Sequence, residues 1–245
     1  MRDEYVLILG ANSDIAIEIA REYAKNGYNL YLASRNINNL KKIAKDIEIR
    51  NKVKVEIFKF DVLDFEQHEN FYNSLPKKPI GVISAIGYLG EQKKAEKDFK
   101  ECKKIIDTNY TGVVSILNII ANDFEKRKKG FIIGISSVAG DRGRKSNYIY
   151  GSAKSGFTTY LSGLRNRLFN SNVHVLTVKP GFVATKMTKD LELPKNLTAL
   201  PEEVAKDIFR AQQKGKDILY TKWIWKWIMC VIIHIPEKIF KRLSI

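Results

Sequence analysis

Short apolar runs separated by helix-period stretches recur from one end of this chain to the other. That alternation restricts the fold more than any other feature. Strand candidates fall at 5–9, 29–33, 54–60, 81–85, 130–136, 174–179 and 218–220. The early ones lack in-and-out alternation, as strands covered on both faces do. Between them, Ile15, Ile19, Ala20 and Tyr23 recur at helical spacing, with Gly27 as a stop. Strand–helix alternation over the whole length predicts an α/β fold, a doubly wound parallel sheet with helices on both faces. No linker divides the pattern, and 245 residues with 44% hydrophobic content suit one such domain.

In such a sheet, ligands sit beyond the C-terminal ends of the strands, so each end is a candidate site. The first reads Gly10-Ala11-Asn12-Ser13-Asp14-Ile15-Ala16. Gly10 permits a tight turn, Asn12 and Ser13 are capping types, and a helix starting near Asp14 aims free N–H groups at whatever lies over the turn. Two readings stay open, a nucleotide loop and an ordinary capped turn, with Asp14 able to repel a phosphate or to turn outward. At the second end, Ser34-Arg35 replaces the acidic residue that holds a ribose 2′-hydroxyl. The pair suits a 2′-phosphate, and hence NADP, or Arg35 is a surface arginine. At the third, Asp61-Val62 suits an adenine amino group or a helix cap. At the fourth, Ala85 and Gly87 allow close approach of a flat ligand.

The most specific signal lies at the fifth end. Tyr150 and Lys154 are four residues apart, which puts them on one face of a helix. An ammonium beside a phenol is expected to lower its pKa and make it a general acid or base. Ser137, thirteen residues before Tyr150 at a strand end, is placed to hydrogen-bond a substrate carbonyl.

Together these residues resemble the short-chain dehydrogenase/reductase family, and the likeness covers almost the whole chain. It implies a single Rossmann-like domain. The family's Tyr-x-x-x-Lys motif falls on Tyr150 and Lys154, its serine on Ser137 rather than Ser136, and its helix asparagine, which holds a proton-relay water, on Asn109. Its Pro-Gly segment falls on Pro180-Gly181-Phe182-Val183-Ala184-Thr185, with Pro180, Val183 and Thr185 at the nicotinamide. The resemblance makes Gly10, Asn12, Ser13, Asp14, Ile15, Ser34, Arg35, Asp61, Val62, Ala85, Gly87, Tyr150 and Lys154 further cofactor contacts. It implies hydride transfer between NADP(H) and a carbonyl or secondary alcohol, and a homo-oligomer, dimer or tetramer. The glycine-rich turn departs from the family pattern, with Asp14 and Ala16 in place of glycines.

The tail, 221–245, holds all three tryptophans, and from Trp223 to Ile235 only Lys226 and His234 are strongly polar. A helix of that length spans about 20 Å, short of the roughly 30 Å of a bilayer core. Three readings stay open: a peripheral membrane anchor through 222–243, a dimer contact or cover over the substrate pocket, and packing on the chain's own core. The net charge of +15 favours anionic surfaces. Gly87-Tyr88-Leu89-Gly90 and the tail are similar to reductases of polyprenyl-phosphate-linked 2-keto-pentoses in envelope biosynthesis. That points to a lipid-linked substrate. The alternatives are a soluble 3-ketoacyl, steroid or general carbonyl reductase, and a non-catalytic nucleotide-sensing protein.

The substrate pocket is expected near Leu89, 141–147 and the loop 182–198, where Lys186, Lys189 and Lys195 are either phosphate contacts or solvated surface. No nucleic-acid motif is found, and the three histidines have no metal-ligand spacing. Two distant cysteines and an N-terminus unlike a signal peptide point to the cytoplasm, with the membrane's inner face as the peripheral site.

Overall fold

Tyr5–Leu9 forms β1, and all five residues are buried. Val6 and Ile8 pack into one core, while Tyr5, Leu7 and Leu9 pack into another on the opposite face. Period-two geometry with both sides covered is why the run is apolar throughout. In this computed structural model, residues 3–189 and 192–243 are described. Residues 190 and 191 of the loop 182–198, and the extreme ends of the expected divisions 1–220 and 221–245, lie outside the described residues.

The strands are β1, β2 (Asn29–Ser34), β3 (Val55–Lys59), β4 (Gly81–Ser84), β5 (Gly130–Ile135), β6 (Val173–Pro180), β7 (Phe182–Val183), β8 (Thr198–Ala199) and β9 (Ile218–Thr221). Seven of them make one parallel sheet in the order β3-β2-β1-β4-β5-β6-β9. The order reverses between β1 and β4, which opens the crevice where such sheets take ligands. The sequence-based boundaries shift by one or two residues at most strands, and the expected division at residue 220 falls inside β9. The two-residue strands β7 and β8, absent from the sequence reading, pair with each other beside the Pro-Gly segment.

The helices in chain order are α1 (Asp14–Lys25), α2 (Asn38–Asn51), α3 (His68–Asn73), α4 (Gln92–Ala95), α5 (Phe99–Ile106), α6 (Gly112–Arg127), α7 (Tyr148–Leu168), α8 (Pro201–Gln213), α9 (Ile224–His234) and α10 (Glu237–Phe240). Residues of α1, α2 and α8 form the core on one face of the sheet, and those of α3, α6 and α7 the core on the other.

The tail packs on its own domain along one face. Trp225 and Met229 are buried against Val138, with Phe182, Leu197 and Tyr220 around them. Trp225 stands edge-on to Phe182, with ring centroids 5.1 Å apart, and its Nε1 donates to Leu197 O at 3.0 Å. Arg142 closes the end of α9, donating to the carbonyls of Ile232, Ile233 and Ile235 at 2.6, 3.0 and 2.6 Å. Among the described residues no helix is long and apolar enough to cross a membrane.

Candidate active site

The strand ends meet around a cavity of about 370 Å³. Its wall brings together Asn12, Ser13, Asp14 and Ile15 from the first end, Ala85 and Gly87 from the fourth, and Ser137, Tyr150 and Lys154 from the fifth. Pro180, Val183 and Thr185 come from the sixth. Gly10, Ser34, Arg35, Asp61, Val62 and Asn109 do not line it. They sit in the turn, farther along the strand ends, or behind the wall.

The first turn needs glycine at one position only. Gly10 has φ +78°, and a β-carbon there would lie 2.9 Å from Ala85 O. Ser13 caps α1, its Oγ accepting from Ala16 N at 3.2 Å. Asp14 is already helical and Ala16 is packed in the core, so neither position requires glycine. The Asp14 carboxylate turns to the segment after Thr185, accepting Lys186 N–H at 2.7 Å and lying 3.3 Å from Lys186 Nζ. Its charge is therefore partly offset, and the free N–H groups of the turn remain usable by an anion.

At the second end, Asn12 Nδ2 donates to Ser34 Oγ at 2.7 Å and to Asn36 O at 2.6 Å, tying the first two strand ends together. Arg35 beside them is exposed. Asp61 uses Oδ1 to accept Leu63 N–H at 3.1 Å in the turn before the next helix, and the helix there has Asp64, not Asp61, at its N-cap position. Val62 is buried against Gly112, whose absent β-carbon would come within 2.2 Å of Val62 O.

The catalytic candidates converge. Lys154 is buried, and its Nζ donates to Ile135 O at 3.1 Å and Ile86 O at 3.3 Å, bridging the ends of β5 and β4. Ser136 is tied to α7, its hydroxyl bonding Lys154 O at 3.0 Å and Thr158 Oγ1 at 2.7 Å. Ser137 instead accepts Ala139 N–H at 3.1 Å through its Oγ and stands close enough to the Tyr150 phenol to lower its pKa slightly. Asn109 lies in a π-helical turn, Asp107–Thr111, between α5 and α6. Its Nδ2 donates to Ile105 O at 2.8 Å and Tyr88 O at 2.7 Å, and Oδ1 accepts Tyr88 N–H at 3.2 Å. Both amide protons are thus engaged on backbone. The place a β-carbon would take at Gly87 is 3.7 Å from Asn109 Oδ1 and 3.8 Å from Lys154 Nζ. The missing side chain leaves room beside Lys154 and Met187, with Asn109 buried behind it, and so the residues present fit a ribose and its flat base.

The expected lowering of the tyrosine pKa does not appear in the ligand-free chain. Burial pushes the Tyr150 phenol up to about 12, against a smaller lowering by the Ser137 hydroxyl, and pushes Lys154 down to about 7. Lys154 Nζ is 5.8 Å from the centroid of the Tyr150 ring. At that range, desolvation of both charged forms outweighs their mutual attraction.

Two features escaped the sequence reading. Lys179, just before Pro180, meets Asp141 at 2.5 Å, and Tyr220 OH donates to the other Asp141 oxygen at 2.9 Å. This buried group ties the Ser137 loop to β6 and β9. Trp225 covers Gly181, where a β-carbon would come within 2.0 Å of the indole. Gly181→Ala is therefore expected to displace α9 and to cost about 1–3 kcal/mol by overpacking. All three tryptophans lie in the tail, so a change in their emission together with a lowered urea midpoint would check this. Unchanged emission would mean that the two segments are not coupled.

Comparison with known proteins agrees with this geometry. The short chain dehydrogenase family model matches residues 4–196, and the chain belongs to that family of oxidoreductases. An uncharacterized oxidoreductase of Mycobacterium tuberculosis is 34% identical over 241 residues, 97% of this chain and 96% of that protein. An NADP-dependent 3-hydroxy acid dehydrogenase of Schizosaccharomyces pombe is 28% identical, covering 87% of this chain and 88% of its own. Among solved structures, a short-chain dehydrogenase from Sphingobium yanoikuyae in complex with NADPH superposes with a TM-score of 0.84 at 21% identity, over 96% of this chain and 97% of that one.

Proposed function

We propose that this enzyme uses NADPH to reduce a carbonyl on a lipid-borne substrate at an anionic membrane surface. In its finer form the substrate is a 2-keto-sugar on polyprenyl phosphate, reduced at the inner face of the membrane during envelope biosynthesis. The observation that carries the reading is the two-sidedness of the tail. One face of α9 packs through Trp225 and Met229 against Val138 and Phe182, which line the site, while Trp223, Trp227, Val231 and Ile233 are exposed on the outside. Lys226, Lys238, Lys241 and Arg242 are exposed beside them. Tryptophan with lysine and arginine suits a membrane interface, and the net charge of +15 suits anionic lipid.

NADP is favoured over NAD because Ser34 and exposed Arg35 stand where a 2′-phosphate would lie, with no acidic residue to claim a 2′-hydroxyl. The name of the Schizosaccharomyces pombe relative and the NADPH held in the Sphingobium yanoikuyae structure support the choice. When bound, the nicotinamide supplies the hydride. Tyr150 gives its phenol proton to the carbonyl oxygen, and the Ser137 hydroxyl holds that oxygen. Lys154 would hold the ribose hydroxyls of the bound cofactor, with Asn109 buried behind Gly87 and supporting the wall there, and the phenol would regain its proton from solvent.

A second reading is a soluble reductase of 3-ketoacyl, steroid or general carbonyl compounds. It is favoured by the burial of the inner face of α9, which explains half of the tail without a membrane. Two measurements separate them. Oxidation of NADPH rather than NADH, dependent on detergent-dispersed polyprenyl-phosphate 2-keto-pentose, is the expected result. Turnover with small ketones or ketoacyl thioesters alone would favour the second reading. In flotation, the full chain is expected to rise with phosphatidylglycerol-containing vesicles and not with neutral ones. Trp223→Ser combined with Trp227→Ser should abolish this, and an unbound wild type would remove the membrane from the proposal.

A further inference from the structure

Arg144 stands on the loop that follows Ser137 and lines the same cavity as Ser137 and Tyr150. Its Nε is enclosed without a hydrogen-bond partner, and Nη2 meets Met229 Sδ at 3.3 Å, a weak acceptor. The acid close to it in sequence, Asp141, is engaged elsewhere. One Asp141 oxygen holds Lys179 and the other holds Tyr220. Among the described residues, no carboxylate pairs with Arg144. Asp141 attracts it only from beyond ion-pair distance. An arginine stays charged and can only donate, so a half-buried guanidinium with no carboxylate in contact is costly to fold unless something else meets its charge. On the same wall, Asn147 Oδ1 is a buried acceptor with no partner.

We infer that Arg144 binds an anionic group of the substrate, a phosphate or a carboxylate, while Asn147 accepts from a hydroxyl of the same molecule. The preferred substrates are then anionic hydroxy-carbonyl compounds. The inference rests on the reductase reading above and adds the charge of the substrate to it. It moves the anion contact away from the loop lysines. Lys186 is paired with Asp14, and Lys186, Lys189 and Lys195 are all exposed. Lys186 shares the cavity wall with Arg144 but has Asp14 as its partner, whereas Lys189 and Lys195 do not line the cavity.

Matched pairs test it in the full-length enzyme: dihydroxyacetone phosphate against dihydroxyacetone, and acetoacetate against its methyl ester. Reduction is followed as NADPH oxidation. The wild type is expected to favour the charged member of at least one pair in kcat/KM, chiefly through KM. The preference should be about 10- to 100-fold, the worth of a charge-assisted contact. R144Q should erase the preference, and R144K, a point charge in place of a planar fork, should keep part of it. The pair that responds tells phosphate from carboxylate. A wild type that favours the neutral members, or a preference that survives R144Q, overturns the inference. If no ketone is reduced at all, the reductase reading fails on its own, and calorimetric titration of NADPH-saturated protein with dihydroxyacetone phosphate and with acetoacetate then decides. Binding that is lost in R144Q upholds the anion site, and no binding to the wild type overturns it. Saturation with NADPH keeps the phosphate contacts of the cofactor out of the readout.

Discussion

Tyr150→Phe is expected to lower kcat for carbonyl reduction by roughly a thousandfold or more, the upper part of the range for loss of a positioned general acid. The ring itself is retained. Tyr150 packs with Tyr88, Cys102 and Ile106 around Ala95, Ile105 and Ile149, so phenylalanine leaves that cluster filled. What goes is the hydroxyl, whose loss is expected to change stability by no more than about 1 kcal/mol. A small change in the unfolding midpoint beside the large loss of turnover would separate chemistry from folding. With the phenol pushed up to about 12, its proton is present throughout the neutral range. The phenol itself therefore adds no pH dependence to the reductive rate around neutrality, and any fall there as pH rises would come from Lys154 losing its proton. Alcohol oxidation, which needs the phenolate, should rise towards alkaline pH by about tenfold per unit. A variant with turnover within tenfold of the wild type would mean that another group supplies the proton.

That Ser137, Tyr150 and Lys154 are legible as a group in sequence follows from where they lie, whereas Asn109 is reached only through the family resemblance. Tyr150 and Lys154 share a helix face, and Ser137 lies two residues past the end of β5, in the middle of the sheet, so local pattern places them on one side of the crevice. β1 and β2 are legible for a related reason. Strands buried on both faces leave unbroken apolar runs, and their neighbours are set by the strand–helix alternation. The strand ends were read long or short by a residue or two because the apolar run and the hydrogen-bonded ladder do not stop together.

The rest depends on partners far away in sequence. Arg142 meets Ile235 across 93 residues, and Tyr220 meets Asp141 across 79. No local periodicity announces such pairs. The tail shows the same limit. Its composition gives two apolar faces and no rule for which is covered, and the choice is made by Gly181 admitting the indole of Trp225 and by Arg142 closing the end of α9. Asp14 was ambiguous for the same reason, since its partner Lys186 lies 172 residues on. The sequence points the pKa of Tyr150 in the wrong direction because spacing reports that Lys154 is near and says nothing of how dry both groups are.

That dryness gives the second large effect. Lys154→Met is expected to lower kcat by roughly a hundredfold or more, through loss of the ammonium that orients the reacting groups. Its effect on stability should depend on pH. Burial takes the amine from 10.5 down to about 7 in the folded chain. Between those values the unfolded chain holds a proton that the folded chain has released. Stability of the wild type therefore rises with pH across that window, by up to about 1.4 kcal/mol per unit. Below it, both states are protonated and the full cost of a buried ammonium is present. Above it, both are neutral and the cost is gone. Methionine carries no such charge, so the variant lacks this slope, while its other groups titrate as before. Measured by urea unfolding, the stability of the wild type relative to Lys154→Met should increase between pH 7 and pH 10 by several kcal/mol. Part of the relative stability at high pH will come from the two carbonyls, Ile86 O and Ile135 O, that the amine satisfies and methionine cannot. That contribution does not vary with pH, so it raises both ends of the comparison and leaves the slope as the test. Parallel stability curves for the two proteins would mean that Lys154 keeps its proton in the folded chain. The ammonium would then be available to the phenol before any cofactor arrives.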